Sequence, residues 1–379
     1  MMIVLSGARI FDGERFLDDH VVVVENSRIA AIVPHSERPN GAARDLGGGL
    51  LAPGYVDVQV NGGGGVLFNE DPTPEGIARI AAAHRNHGTV GLLPTLVTDA
   101  PQVMAAAIAA TREARRLTPA ALGIHLEGPF LDPRRKGAHE LGYIRNLESD
   151  DIATIANADC GAMMMTLAPN RVEPESIAEL ARQGVLVSLG HSDASYQEAR
   201  RAVEAGARAF THLFNAMSPP TGREPGMVGA ALDLDDAFVG LIADGHHVHE
   251  ANLRVAVAAK RHDRFMLITD AMPPAAGGPD HFDLQGRRVT SVDGCLRLDD
   301  GTLAGSVLTM DEAVRYAVNV LRLPLADALA MASRIPATFL RRDTDLGRIA
   351  PAYLASLVHL DDELRVLETW IEGHSSTPD

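Results

Sequence analysis

From Leu51 onward the chain repeats one unit: a short apolar run, a break, and then an Ala-rich stretch of helical period. The helical stretches fall at residues 77–87, 103–117, 177–183, 196–205, 251–262 and 310–321. The apolar runs fall at 55–60, 90–96, 122–127, 162–168, 185–190, 209–213, 238–243 and 265–269. A strand followed by a helix, many times over, predicts parallel strands joined by crossover helices. Eight such strands are the number that closes a (β/α)8 TIM-like barrel. The fold class is therefore α/β. Ser195 or Asp193 before the 196–205 stretch, and Pro174-Glu175 before 177–183, are suitable helix starts.

Both ends of the chain depart from this rhythm. Residues 1–50 hold short runs such as Ile3-Val4-Leu5 and Val21-Val22-Val23-Val24, broken by Gly, Asn, Asp and Pro, a pattern of small antiparallel strands. After Thr338 the runs 355–361 and 366–371 are again strand-like. The expected organisation is a small β-sandwich built from residues 1–50 and 343–379, with the barrel, residues 51–342, inserted between them. Between about Pro273 and Leu303 the helical period vanishes, and Gly277-Gly278, Asp293-Gly294 and Asp300-Gly301 mark an excursion of hairpins beside the barrel mouth.

Composition narrows the function classes. The 379 residues are 46% hydrophobic and 22% charged, enough apolar content to bury a large core. A formal net charge of −16 and the lack of any long basic run argue against nucleic acid or an acidic membrane surface as partner. Cys160 and Cys295 are too few for a disulfide framework. The start, Met1-Met2-Ile3-Val4-Leu5-Ser6-Gly7, lacks the basic leader and apolar run of a signal peptide, so a cytoplasmic location is expected.

In a (β/α)8 barrel the chemistry sits at the carboxyl ends of the strands. Those ends carry Gln59 and Asn61 on the first run, Glu127 on the third and His191 on the fifth. The sixth, seventh and eighth end in His212, His247 and Asp270. One glutamate and two histidines from three strands make a three-ligand site with a coordination position left for water, as in catalytic zinc sites. Asp270 could instead cap a helix, but Ala271-Met272-Pro273-Pro274 is a poor helix start. Beside a metal-activated water its carboxylate suits general base and then general acid. Arg223, in the rigid loop Pro219–Gly226, either pairs with Glu224 or binds a phosphate through both guanidinium arms.

Longer segments carry a resemblance. Asp57-Val58-Gln59-Val60-Asn61-Gly62, His125-Leu126-Glu127-Gly128-Pro129, Lys136-Gly137-Ala138-His139 and Leu189-Gly190-His191-Ser192 are the first four. Thr211-His212-Leu213-Phe214-Asn215-Ala216-Met217, Gly222-Arg223-Glu224-Pro225-Gly226, Ala243-Asp244-Gly245-His246-His247, Thr269-Asp270-Ala271 and Leu303-Ala304-Gly305-Ser306 follow in order. Together they resemble the N-acetylglucosamine-6-phosphate deacetylases of the amidohydrolase superfamily. The resemblance implies hydrolysis of N-acetyl-D-glucosamine 6-phosphate, with Glu127, His191 and His212 binding the metal and Asp270 activating water. It further implies that His139 polarises the acetyl carbonyl, that Asn215, Ala216, Arg223 and His247 contact sugar and phosphate, and that Leu308 lines the sugar pocket. Arg223 would reach the neighbouring subunit's site in a homodimer. Many superfamily members place His-x-His where this chain has Gln59-Val60-Asn61, and neutral amides are poor ligands for a borderline-soft ion. One divalent ion per subunit is expected, with Gln59 at most a weak ligand; zinc is favoured, and Fe2+, Co2+ and Mn2+ are the alternatives. Two other readings stay open: a superfamily relative acting on another N-acyl or cyclic amide, and a barrel kept as a non-catalytic scaffold.

Overall fold

In a computed structural model that describes residues 2–376, each of the eight apolar runs is a strand. They are β1 (Tyr55–Val60), β2 (Thr89–Val97), β3 (Gly123–Glu127), β4 (Ala162–Leu167), β5 (Leu186–Leu189), β6 (Ala209–Phe210), β7 (Phe238–Ile242) and β8 (Phe265–Ile268). Each pairs in parallel with its successor, and the sheet runs in sequence order. Closure occurs just past the ends of β1 and β8, where Val60 bridges Ala271 in parallel and the Asp270 amide donates to the Gln59 carbonyl at 3.0 Å. The barrel mouth is thus stitched shut beside the residues that end its strands.

Buried parallel strands need covering on the outside, and amphipathic helices supply it. Pro74–Arg85 starts on a Thr73 cap with Pro at its first position, and Tyr196–Glu204 starts on a Ser195–Glu198 capping box. Pro101–Leu117, Pro174–Arg182, Glu250–Ala259 and Met310–Asn319 are the other expected helices, shifted by a few residues at their ends. Gly226–Asp233 and Leu325–Ala332 were not evident in the sequence, because they are short, mostly apolar and show no periodic polar face, and Arg334–Phe339 is only six residues long with Pro336 inside it.

The small domain is a β-sandwich. One sheet holds Arg28–Pro34, His20–Glu25, Met2–Ser6 and Ala42–Asp45 in that order. The other runs His374–Ser375, Val366–Ile371, Leu357–Leu360, Leu50–Pro53, Arg9–Phe11, Phe16–Leu17, so strands from both ends of the chain share it. Leu5, Val22, Val24, Ile10, Leu51, Leu357 and Trp370 fill the space between the sheets. Residue 1 and residues 377–379, within the expected small-domain span, lie outside the described residues.

The excursion is a four-stranded antiparallel sheet: β9 (His281–Leu284), β10 (Arg287–Val292), β11 (Cys295–Leu298) and β12 (Leu303–Ser306). Its buried Leu284, Val289 and Leu296 pack with Leu67, Val97 and Met272 at the barrel mouth. Among the described residues no helix is long and apolar enough to cross a membrane.

Candidate metal and catalytic site

Side chains alternate along a strand, so His125 and Glu127 of β3 point the same way, into the barrel. Glu127 is the last residue of β3, while His191, His212 and Asp270 each lie two residues beyond β5, β6 and β8. Those three have φ of 46°, 32° and 52°, a left-handed conformation that non-glycine residues adopt at a cost. The turns aim all three side chains at the barrel axis. The segment after β3 steadies one of them: the Asp132 amide donates to the His191 carbonyl, and His191 Nδ1 donates to the Arg135 carbonyl, both at 3.0 Å. With its proton on Nδ1, His191 presents a lone pair on Nε2.

That lone pair has close company. Glu127 Oε1 lies 3.3 Å from His191 Nε2 and 3.1 Å from His212 Nε2, and the two nitrogens are 3.0 Å apart. Neighbouring ligands on a tetrahedral ion with bonds of about 2.1 Å are separated by about 3.4 Å. The triangle is therefore nearly the face such an ion would occupy, and a carboxylate with two imidazoles is a donor set that suits a divalent cation. His139 is also near. Donor atoms of Glu127, His139 and His191 lie within 4.8 Å of one another. His139 Nε2, however, is 3.9 Å from Glu127 Oε2, so the triangle with His212 is the tighter set.

Asp270 stands beside the triangle. Its Oδ1 accepts from Asn61 Nδ2 at 2.7 Å and from Gln59 Nε2 at 3.1 Å, and the same Gln59 nitrogen donates to Glu127 Oε1 at 3.0 Å. Gln59 therefore turns its amide nitrogen, not its oxygen, toward the two carboxylates; its Oε1 and the Asn61 Oδ1 are buried without a partner among the described residues. Burial, and then the Glu127 charge, push the Asp270 carboxyl above its ordinary value. Burial also opposes the Glu127 charge, but the neighbouring His191 and His212 imidazoles outweigh it and hold that carboxyl well below the usual range. One carboxylate is fixed as an anion and the other is disposed to take a proton, the division of labour that acid–base chemistry needs.

His139 faces the same space. Burial and then the neighbouring His191 hold its imidazole neutral, well below the ordinary histidine value. The Thr98 backbone N–H points at its Nδ1 at 3.3 Å, and the Thr98 hydroxyl lies 2.8 Å from the same atom. In the tautomer whose Nδ1 accepts from the Thr98 N–H, the ring proton sits on Nε2 and can be donated into the site.

These groups form one end of a cavity of about 380 Å³, within the size range of small-molecule sites. Asn215, Ala216 and His247 line it as well. His247 Nδ1 donates to Asp244 Oδ2 at 2.7 Å, so its Nε2 is the nitrogen left for a ligand. Two expected residues lie elsewhere. Leu308 is buried on an adjoining groove with Val307 and Asp244, where its amide is tied to the Ser306 hydroxyl at 2.9 Å. Arg223 is exposed and does not line its own chain's cavity. Conversely Arg134 and Arg135 do line it, held by Asp132 and Asp193; the run Arg134-Arg135-Lys136 reads in sequence as a solvated loop. Thr98 went unnoticed, since a lone polar residue past a strand carries no spacing signal, and Asp244, part of the Ala243–His247 segment, was given no role.

A model of the amidohydrolase family matches residues 50–375, and one of the NagA composite domain matches residues 2–51. An N-acetylgalactosamine-6-phosphate deacetylase of Shewanella sp. (strain ANA-3) is 44% identical, over 86% of this chain and 83% of its own. The human N-acetylglucosamine-6-phosphate deacetylase is 37% identical, over 95% and 89% respectively. Among solved structures, N-acetylglucosamine-6-phosphate deacetylase from Pasteurella multocida superposes with a TM-score of 0.97 at 35% identity, covering both chains fully. A mutant of the Mycobacterium smegmatis enzyme, in complex with N-acetyl-D-glucosamine-6-phosphate, gives 0.92 at 32% identity, over 100% of this chain and 99% of its own. With its closed eight-stranded barrel and its buried Glu–His–His cluster, this chain belongs to the amidohydrolase family, among the deacetylases of N-acetylated amino-sugar 6-phosphates.

Proposed function

We propose that the chain hydrolyses the acetamido group of N-acetyl-D-glucosamine 6-phosphate, giving D-glucosamine 6-phosphate and acetate. The observation that carries this reading is the Glu127–His191–His212 triangle, with edges of 3.0–3.3 Å, beside a carboxyl whose burial favours taking up a proton. Glu127, His191 and His212 would hold one divalent ion per subunit, zinc by the chemistry of the donors, with Fe2+, Co2+ and Mn2+ as the alternatives. Such an ion supplies a lowered pKa for a bound water and positive charge for the carbonyl under attack.

The protein's own groups account for the proton and the geometry. Asp270 takes a proton from the attacking water as its oxygen bonds to the acetyl carbon, and returns it to the sugar nitrogen as the C–N bond breaks. His139 donates from Nε2 to the acyl oxygen while negative charge builds there. Gln59 acts through its amide protons, fixing the distance between the two carboxylates, and its role as a weak ligand is correspondingly less favoured. Asn215, Ala216 and His247 contact sugar and phosphate, and Leu308 backs the sugar wall.

In a chain of net charge −16 the phosphate needs a local cation. Arg134 and Arg135 are already paired with aspartates. An exposed Arg223 outside its own cavity supports a homodimer in which each subunit lends this arginine to the other. A cytoplasmic enzyme of amino-sugar metabolism completes the reading.

The galacto epimer is a second candidate substrate, because relatives 44% and 39% identical carry the name N-acetylgalactosamine-6-phosphate deacetylase. Acetate release measured on both 6-phosphates and on the unphosphorylated sugars separates the possibilities. The expected kcat/KM for a phosphorylated sugar exceeds that for its parent at least 100-fold, about the discrimination one charged contact supplies. Equal turnover with and without phosphate would sink the phosphate reading, and clear preference for the galacto sugar would replace the gluco one.

A further inference from the structure

The turn between β9 and β10 is two residues long, Gln285-Gly286, with φ of 52° and 76°. Positive φ at both central positions matches the twist of the flanking strands, but Asn or Asp is the usual first residue. A glutamine there bears backbone strain, and such strain persists where the surroundings hold it. Gln285 is held at its far end: its Nε2 donates to the Thr98 carbonyl at 2.7 Å. Thr98 is the residue whose N–H and hydroxyl meet His139 Nδ1.

Two residues on, Arg287 holds the backbone beside the same histidine. Arg287 donates from one guanidinium nitrogen to the Ala138 carbonyl at 2.7 Å. That carbonyl belongs to the planar peptide unit whose nitrogen is His139's own, so fixing it fixes the direction in which the His139 chain leaves the backbone. Arg287 also lies 3.6 Å from Glu140 and 3.4 Å from Gln285 Oε1. The turn is not free to drift, since Leu284 and Val289 on either side are fully buried against the barrel mouth.

We infer that Gln285 and Arg287 are positioning residues: through the Thr98 and Ala138 carbonyls the β9–β10 turn sets the aim of His139 Nε2. The inference rests on the proposed part of His139 in the reaction. A group that steadies a donor used chiefly in the transition state affects kcat more than KM. A misplacement of about 1 Å is worth up to about 100-fold in rate.

The test is a double-mutant cycle on the metal-loaded enzyme, with acetate release from both N-acetylhexosamine 6-phosphates and metal content as readouts. R287A and Q285A are each expected to lower kcat about tenfold, with KM within twofold and metal content unchanged. R287K, which can still donate to one carbonyl, should recover part of the loss. In an H139A background the same changes should cost nothing further. Wild-type kcat in R287A and Q285A, or an equal loss with and without His139, would overturn the inference while leaving the reading of His139 in place. Full turnover in H139A would overturn both. If R287A fails to fold, Q285A and R287K decide the question by the same criteria.

Discussion

Three histidines of the barrel are buried almost equally: His125 at 0%, His212 at 4% and His191 at 6% exposure. They live under opposite rules. Inside the barrel, His125 Nδ1 lies 3.2 Å from the Thr95 hydroxyl and its Nε2 lies 2.7 Å from that of Thr166. Thr166 continues to Thr211, and Thr211 to Ser188, at 2.7 and 2.6 Å. Every ring nitrogen has a neutral partner, and burial holds the ring uncharged, with its pKa lowered to about 4. One layer up, two imidazole nitrogens and a carboxylate oxygen crowd together, His212 Nδ1 has no partner, and the backbone at His191, His212 and Asp270 is left-handed. Residue type and burial do not distinguish a structural histidine from one proposed to hold a metal. What distinguishes them is whether the surrounding hydrogen bonds are already satisfied by the protein.

The largest effect that tests this contrast is on Asp270, the proposed proton carrier. Asp270→Asn keeps the Asn61 and Gln59 neighbours but cannot accept the proton, so kcat should fall about 1000-fold with metal content unchanged. Turnover within tenfold of the parent would remove Asp270 from its role.

Next come the histidines themselves. Asparagine tolerates a left-handed backbone and cannot complete the triangle, so His212→Asn should lose the ion. The metal-free variant should melt no lower than the metal-free parent. Added zinc should raise the parent's midpoint alone. His125→Ala should do the reverse, keeping metal stoichiometry while losing about 2–4 kcal/mol of stability, because it opens a buried cavity and strands two hydroxyls. Metal loss in His125→Ala with unchanged melting would erase the distinction between the layers.

The smallest effect is the pH dependence of stability. His125 and His84 stay neutral in the fold, both lowered by burial to about 4 from 6.5. The unfolded chain therefore binds more protons between those values, and their contribution is lost as pH falls from 6.5 toward 4. Asp57, raised by burial to about 7, runs the other way over nearly the same window. Among these three groups, two against one leave a net loss of stability in acid. Denaturant titrations across this range should show a pH slope that changes by about one proton in His125→Gln, and an unaltered slope would mean that His125 is already charged in the fold.

Much of this is legible in the sequence. The strand–helix rhythm gives the barrel, because buried parallel strands must be apolar runs of a fixed length. Glu127, His191, His212 and Asp270 stand out because each terminates such a run. His125, two residues before Glu127, is indistinguishable by that criterion, since its partners Thr95 and Thr166 come from other strands. Thr98, Gln285 and Arg287 were invisible for a related reason: their contacts with one another and with the His139 loop bridge 41 to 187 residues of sequence, and no local pattern encodes them. Leu308 owes its expected place at the sugar pocket to its motif alone, and it lies on the adjoining groove.

The central claim is that one unsatisfied triangle at the barrel mouth holds one ion and that the ion is needed for hydrolysis. Metal analysis of the purified protein, paired with acetate release before and after chelation, tests it most directly. One divalent ion per chain is expected, with activity lost on its removal and restored by zinc. Two ions per chain, or undiminished acetate release from metal-free protein, would contradict it.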